Sequence, residues 1–200
     1  MNDRAAALGR GVRLEAVTVA WMTIEAVLAI GAGIAARSVL LTAFGVDSVV
    51  ELLSGVTLWW RLRGDSDEVA TERTATWISA VLLVLLCAYV IASSVAGLAL
   101  RIEPERTWLG VVVTAAAVVL MPWLALRKRA INVTLQSPAL RADIAESVTC
   151  AYLAAVTLVG LAIDALSGLW WVEYVAAIAL LRWLIPEARE ALEAARLPER

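Results

Sequence analysis

The stretch TWISAVLLVLLCAYVIASSVAGLAL (Thr76–Leu100) decides the class of this protein, because it carries no charged residue and is long enough to cross a bilayer. A helix needs about 20 mainly apolar residues to span the hydrocarbon core. The whole chain agrees, since 62% of its residues are hydrophobic and its mean hydropathy is +0.80. Soluble domains contain about 45–50% apolar residues. The sequence therefore predicts an all-α protein embedded in a membrane.

Five further segments have the length and polarity of membrane spans, so we predict a polytopic bundle of six transmembrane helices. Residues 63–73 form a short charged loop. Pro186 is expected to end the last helix, because proline lacks the amide hydrogen that the helix interior uses. We thus expect one transmembrane domain, residues 1–187, and a short charged cytoplasmic tail, residues 188–200. The six predicted spans are Leu14–Ala36, Val39–Leu62, Thr76–Leu100, Thr107–Leu126, Leu140–Ala165 and Leu169–Ile185.

The basic residues are distributed unequally between the two sides of this predicted bundle. Fourteen of the 17 fall before the first span, in the loops after the second and fourth spans, or at the C-terminal side. Only Arg37, Arg101 and Arg106 fall on the opposite side. Basic residues are enriched in the cytoplasmic loops of membrane proteins. We therefore expect a multi-pass protein of the cell membrane with both termini in the cytoplasm.

The residue types present exclude several kinds of site. The chain has no histidine, which removes Ser-His and Cys-His nucleophiles and histidine metal ligands. Its net charge of -2 does not point to nucleic acid. The two cysteines, Cys87 and Cys150, lie in different apolar segments and predict no disulfide framework. We expect neither an enzyme nor a nucleic-acid-binding protein.

Carboxylates within the predicted spans are the strongest functional signal. Asp47 and Glu51 are four residues apart on the second span, which places them on one helix face. Glu146 and Cys150 repeat this spacing on the fifth span. An unpaired charge at the bilayer centre costs about 2.5–3.5 kcal/mol on insertion scales. Since no Lys or Arg is expected at that depth, these acids must share protons or share a cation.

A divalent cation bound by these side chains would meet this requirement. Three carboxylates and one thiolate suit a four-coordinate site, in which oxygen favours Mn²⁺ or Fe²⁺ and sulfur favours Zn²⁺ or softer metals. Each ligand must lose its proton to bind, so metal entry displaces protons. The alternative role for Cys150 is that of a small packing residue. The predicted metal ligands are Asp47, Glu51, Glu146 and Cys150, with Asp143 and Glu25 supporting them or lining the entrance.

The two ligand pairs occur in stretches of similar sequence. SVLLTAFGVDSVVE (Ser38–Glu51) aligns without a gap with SPALRADIAESVTC (Ser137–Cys150), and five positions are identical. Because the second span is predicted to run inward and the fifth outward, the stretches indicate an inverted repeat of three plus three spans. The alternative is chance similarity between two amphipathic membrane helices.

At these residues the chain resembles the membrane domain of the cation diffusion facilitator (cation efflux) family. GIAARSVLLTAFGVDSVVELLSG (Gly33–Gly55) has a short outer turn, two ligands four apart and then small residues. Ser137–Leu180 has an L-x-A-D lead-in, a second pair of ligands and G-x-W-W near the start of the last span. The chain departs from the family in having Glu51, Glu146 and Cys150 where Asp or His is common. It is similar to a branch that consists of the transmembrane domain without the cytoplasmic metal-binding domain.

The resemblance implies export of a divalent metal ion (Zn, Fe, Mn, Co or Cd) from the cytoplasm by proton antiport, usually by a homodimer. It assigns the metal to the pairs Asp47/Glu51 and Glu146/Cys150. The expected partners are the metal ion, the proton and the lipid bilayer, and no resident cofactor is expected. The alternative is a non-transporting membrane binding or accessory protein that keeps the fold, and a carrier of another cation or a small amine is a third hypothesis.

Overall fold

The computed structural model describes residues 2–63 and 68–196, and within these ranges the regular structure is entirely α-helical, in six helices. Five of them are long and apolar enough to cross a membrane, which identifies a helical membrane protein and confirms the predicted all-α class. These five candidate spans are Ala6–Ala35, Val39–Trp60, Trp77–Leu100, Trp108–Leu135 and Ala139–Ser167. The six helices are α1 (Asn2–Ala35), α2 (Val39–Arg63), α3 (Glu68–Leu100), α4 (Trp108–Leu135), α5 (Pro138–Ser167) and α6 (Trp171–Arg196).

The last helix differs from its prediction. α6 is not among the five apolar spans, and Glu173 and Arg182 lie within its first half. It also continues through Pro186 to Arg196, so the prediction that this proline ends the helix is wrong. A proline removes one amide donor and crowds the preceding turn, and the bonds on either side can hold the helix together. Pro122 lies within α4 in the same way.

The charged loop predicted over residues 63–73 is also shorter than expected. α2 ends at Arg63 and α3 begins at Glu68, so only residues 64–67, which lie outside the described ranges, separate them. The helices continue past the apolar segments because charged residues can extend a helix beyond the hydrocarbon region. For the same reason α4 ends at Leu135, nine residues after the predicted Leu126.

Four of the helices form a closed ring. α1 packs against α2, α2 against α5, α5 against α4, and α4 back against α1. α3 and α6 form a pair that attaches to this ring through α2 and α5. Glycines bring α1 and α2 together closely, since a Cβ on Gly45 would lie 2.7 Å from the Ile30 amide nitrogen. Small residues permit such close approach between membrane helices.

The helices alternate in direction and define two ends of the bundle. At the N-terminal end, a Cβ on Gly11 of α1 would contact Leu62 of α2 and Leu135 of α4. At the opposite end, the α3–α4 connection is fixed to its neighbours. The Glu105 amide donates to the Ala36 carbonyl at 2.7 Å, and the Tyr174 hydroxyl donates to the Ile102 carbonyl at 2.7 Å.

Two arginine–tryptophan pairs lie toward the N-terminal end, and a third lies near the middle of α6. In each pair a guanidinium lies over an indole ring, an arrangement that is favourable electrostatically and common at membrane surfaces. The three pairs are Arg63 over Trp59 at 4.7 Å, Arg127 over Trp123 at 5.4 Å and Arg182 over Trp183 at 5.8 Å.

Candidate cation site

Three helices converge on the carboxyl group of Glu25, which is fully buried in α1. Trp21 Nε1, one turn earlier, donates a hydrogen bond to Oε2 at 2.6 Å. Ser48 Oγ of α2 donates to Oε1 at 2.7 Å, and Cys150 Sγ of α5 donates to the same oxygen at 3.7 Å. Glu25, which the sequence suggested only as a supporting residue, is therefore the point at which α1, α2 and α5 are joined.

The predicted pair on α2 lies beside this point. Glu51 is largely buried, and its side chain meets the thiol of Cys150. Asp47 is 2% exposed, and its Oδ1 has no hydrogen-bond partner in the described part of the chain. The structure thus brings Glu51 and Cys150 together next to Glu25. Asp47 is a separate buried acid that is close enough to Glu25 for their charges to interact.

Glu146 occupies a different position from the other three predicted ligands. It is half-buried on α5, lies beside the Ser54 hydroxyl of α2 and faces a cavity. Across residues 2–63 and 68–196, no three His, Cys, Asp or Glu side chains are grouped as they would be around a metal ion. The four-ligand metal site stays a prediction, with Glu51 and Cys150 adjacent and Glu146 at the cavity wall.

The cavity has a volume of about 590 Å³ and lies between α2, α3, α5 and α6. It extends from Leu83 and Thr149 near the middle of the bundle to Glu190 near the end of α6. Because Thr57 at the N-terminal end of the bundle also lines it, the cavity leads from that end toward the buried acids.

Two acids of α6 line this cavity that the sequence reasoning missed. Glu187 and Glu190 are three residues apart and lie on one face of the helix with Glu146 across from them. Burial raises the pKa of Glu187, and the neighbouring charge of Glu190 raises it further. They were missed because α6 was expected to end at Pro186, although their spacing of three was visible in the sequence.

A buried basic residue corrects another expectation. Lys128 is 1% exposed, and its Nζ lies 2.6 Å from Asp143 Oδ2 and 3.2 Å from Glu15 Oε2. The sequence predicts Lys128 in a loop and no Lys or Arg at the depth of the intramembrane acids. Its burial in α4 and its pairing with Asp143 show that this prediction is wrong. Asp143 was expected to support the metal ligands, and its carboxyl instead pairs with Lys128.

The extension of α4 explains this misplacement. Lys128 lies about 10 Å inside the end of α4 at 1.5 Å per residue. It continues the buried face that includes Met121, Leu124 and Asn132, which are spaced three or four residues apart. Its neighbours Arg127 and Arg129 are exposed. The spacing of Lys128 from Met121 and Leu124 places it on the buried face of α4. This spacing, and not the run of three basic residues, is the sequence signal that predicts its burial.

The opposite end of the bundle contains a further buried acid. Glu173 of α6 is 1% exposed and lies beside the Ser38 hydroxyl and the amides of Val39 and Leu40. These amides belong to the first turn of α2, where the helix dipole favours a negative group. Glu173 therefore fastens α6 to the start of the helix that carries Asp47 and Glu51.

Comparison of the sequence with known protein families gives no matching family model, and comparison with characterised proteins gives no match. Chemically, the arrangement is an acidic, titratable region with one thiol, next to an acid-lined cavity. Such a region can bind a cation, bind protons, or exchange one for the other.

Proposed function

We propose that the protein is a divalent metal cation transporter of the cation-efflux type, which exports ions such as Zn²⁺, Fe²⁺ or Mn²⁺ from the cytoplasm in exchange for protons. One observation carries this proposal. Glu25, Glu51 and Cys150 meet within the bundle beside Asp47, whose Oδ1 has no hydrogen-bond partner among the described residues, and a cavity lined by acids leads toward them from one end.

The energetics of buried acids support a cation as the substrate. Ionised carboxylates in the membrane interior are costly unless a cation or a proton neutralises them. The only described basic side chain buried among the acids, Lys128, is already paired with Glu15 and Asp143. A divalent ion entering through the cavity would supply the missing charge at Asp47 and Glu51 and would release their protons.

We propose further that α6 is the sixth span and that α2 and α5 are related as an inverted repeat. The charges of α6 are accommodated, because Glu173 lies at the start of α2 and Arg182 lies over Trp183. α2 and α5 also begin alike, since Ser38 Oγ accepts from the Leu41 amide and Ser137 Oγ accepts from the Leu140 amide.

The same correspondence continues at the serine that lies between the two predicted ligands of each pair. Ser48 Oγ lies 3.0 Å from the Phe44 carbonyl oxygen, and Ser147 Oγ lies 3.0 Å from the Asp143 carbonyl oxygen at the equivalent position. The unequal distribution of basic residues favours cytoplasmic termini, so the cavity would open to the cytoplasm. The family resemblance adds that the protein acts as a homodimer in the cell membrane.

The decisive experiment is transport by the purified protein in liposomes that contain a metal-sensitive dye. Each of Zn²⁺, Fe²⁺, Mn²⁺, Co²⁺ and Cd²⁺ is supplied outside while the lumen is more acidic than the medium. We expect accumulation of at least one ion, its loss when the pH gradient is collapsed, and at least tenfold slower uptake in Asp47→Asn.

The matched control is Glu103→Gln, which removes a carboxylate from an exposed position in the connection between α3 and α4. It should transport at the rate of the unmodified protein. Metal binding without transport in either direction would favour the accessory-protein alternative. Absence of both binding and transport for all five ions would contradict the proposal.

A further inference from the structure

The Lys128 cluster, defined as Lys128, Glu15 and Asp143, joins three helices of the ring. Its three side chains come from α4, α1 and α5, and all three are buried. Lys128 Nζ donates hydrogen bonds to Asp143 Oδ2 at 2.6 Å and to Glu15 Oε1 at 3.4 Å. The ammonium group therefore lies between two carboxylates that belong to different helices.

The cluster contains more acid than base. Glu15 Oε2 lies 3.2 Å from the ammonium nitrogen, but it makes no hydrogen bond with any group in the described ranges and is inaccessible to solvent. A single positive charge thus faces two carboxylates, and three of their oxygens lie within 3.4 Å of it. Carboxylate oxygens that converge on one positive charge from separate helices are also the ligands that hard cations use.

The surrounding backbone leaves room for Glu15 at this position. Gly55 of α2 faces it, and a Cβ there would lie 3.2 Å from Glu15 Oε1. Glu146 is three residues after Asp143 on the same face of α5 and lines the cavity. The Lys128 cluster is consequently next to the route that a cation would follow.

We propose that Glu15 and Asp143 form a second cation site, and that the ammonium group of Lys128 occupies it as a tethered cation. In this position the ammonium keeps divalent ions from being held beside Glu146. The role of Lys128 beside the path of a transported cation depends on the proposed function. The existence of the second cation site does not. A tethered ammonium differs from a metal ion in that its single charge stays beside the two carboxylates and cannot be carried away.

Removal of the tethered charge should expose the site to a free ion. We would measure the number of Mn²⁺ ions bound per chain by purified full-length protein, using the electron paramagnetic resonance signal of free Mn²⁺. Lys128→Ala removes the ammonium and leaves its volume empty, and it should bind one more Mn²⁺ than the unmodified protein. Lys128→Arg keeps the charge and should bind no additional ion.

Two further variants identify where the extra ion lies. Glu15→Gln combined with Lys128→Ala should lose the additional Mn²⁺, because it removes one of the two proposed ligands. Arg129→Ala removes a positive charge from the adjacent exposed position and should leave the stoichiometry unchanged. Equal stoichiometry for Lys128→Ala and the unmodified protein would overturn the proposal.

Folding of the variant provides an independent result. If Lys128→Ala is recovered as folded protein only when Mn²⁺ is present during purification, the ion replaces the ammonium and the proposal is supported. If it fails to fold equally with and without Mn²⁺, the proposal is overturned. If the unmodified protein fails to bind Mn²⁺, that result counts against the proposed transport function. It does not count against the second site, because Lys128 fills that site in the unmodified protein.

Discussion

Cys150 Sγ of α5 lies 3.7 Å from Glu25 Oε1 of α1, and both side chains are excluded from solvent. The residues are 125 positions apart in the sequence. Their contact joins two helices of the ring at the level at which Ser48 of α2 reaches the same oxygen. The carboxyl of Glu25 consequently organises the three helices on which the proposed site depends.

Replacement of Glu25 should therefore destabilise the bundle. Glu25→Ala leaves the Trp21 indole without its acceptor and removes one of the two acceptors near the Cys150 thiol, and a buried donor left unpaired costs about 1–3 kcal/mol. Glu25→Gln keeps one acceptor oxygen and should cost less. Thermal unfolding in detergent measures both. Glu193→Ala, at an exposed position of α6, is the control. Equal melting temperatures for Glu25→Ala and this control would show that Glu25 does not hold the three helices together.

The thiol should influence metal preference. Cys150→Ser keeps a donor for Glu25 but replaces a soft ligand by a neutral hydroxyl, so the rate for Cd²⁺ should fall several-fold relative to that for Mn²⁺. Cys87→Ser removes the half-buried thiol of α3 and should leave this ratio unchanged. An unaltered ratio in Cys150→Ser would make Cys150 a packing residue and not a ligand.

Two glycines of α1 give a matched test of the α1–α2 contact. A Cβ on Gly33 would lie 2.7 Å from the Thr42 nitrogen and 2.9 Å from its Cα, and backbone atoms cannot move aside easily. Gly33→Ala should lower the free energy of unfolding by about 1–3 kcal/mol. Gly31→Ala meets no atom within 4 Å and should be neutral or stabilising. Equal losses in the two variants would show that helix packing at Gly33 is looser than described.

The charge of the cavity should depend on pH through Glu187. Burial, and then the charge of Glu190, raises the pKa of Glu187, so this carboxyl becomes neutral at a higher pH than an exposed glutamate does. Attraction of cations into the cavity should weaken as the pH falls through this raised pKa. Glu190→Gln removes one cause of the shift and should move the midpoint of the pH–uptake profile to lower pH.

Glu193→Gln, which removes an exposed acid from the same helix, is the control for that shift. The initial rate of metal uptake is measured between pH 5.5 and 8 at a fixed metal concentration. A midpoint that is the same in Glu190→Gln and in the unmodified protein would show that the two acids of α6 do not interact during uptake.

The orientation predicted from the basic residues can be tested by cysteine labelling. In a Cys87→Ser background, Glu103→Cys introduces an exposed thiol at the opposite end of the bundle, and Glu193→Cys introduces one at the N-terminal end. A membrane-impermeant maleimide added to intact cells should label the first variant and not the second. Labelling in the reverse pattern would place the termini outside the cell.

The positions of the helices could largely be predicted because apolar length alone determines where a chain can cross a bilayer. α2 begins at Val39 as predicted, since Ser38 caps it through the Leu41 amide. The ends on the side of the chain termini were less accurate. There the helices extend into charged sequence that a hydropathy pattern assigns to loops, as Glu68 and Leu135 show.

The partners of the buried charges could be predicted only in part. The spacing of Asp47 and Glu51 correctly placed them on one face, and both are buried. That Glu25 meets Cys150, or that Lys128 meets Glu15, depends on the order of helices around the ring and on the rotation of each helix. No local spacing contains this information, because the paired residues are more than 100 positions apart.

The arginine–tryptophan pairs at the N-terminal end have a consequence for the depth of the protein in the bilayer. Stacked indole and guanidinium groups from α2 and α4 hold that end at the level of the lipid headgroups. Within the described ranges the opposite end has no such pair. When the bilayer becomes thicker or thinner, the mismatch should therefore be taken up at the opposite end, where Glu173 and Tyr174 fasten α6. A change in lipid chain length would then act on the contacts that Glu173 and Tyr174 make at that end, and it would leave the mouth of the cavity at a constant depth.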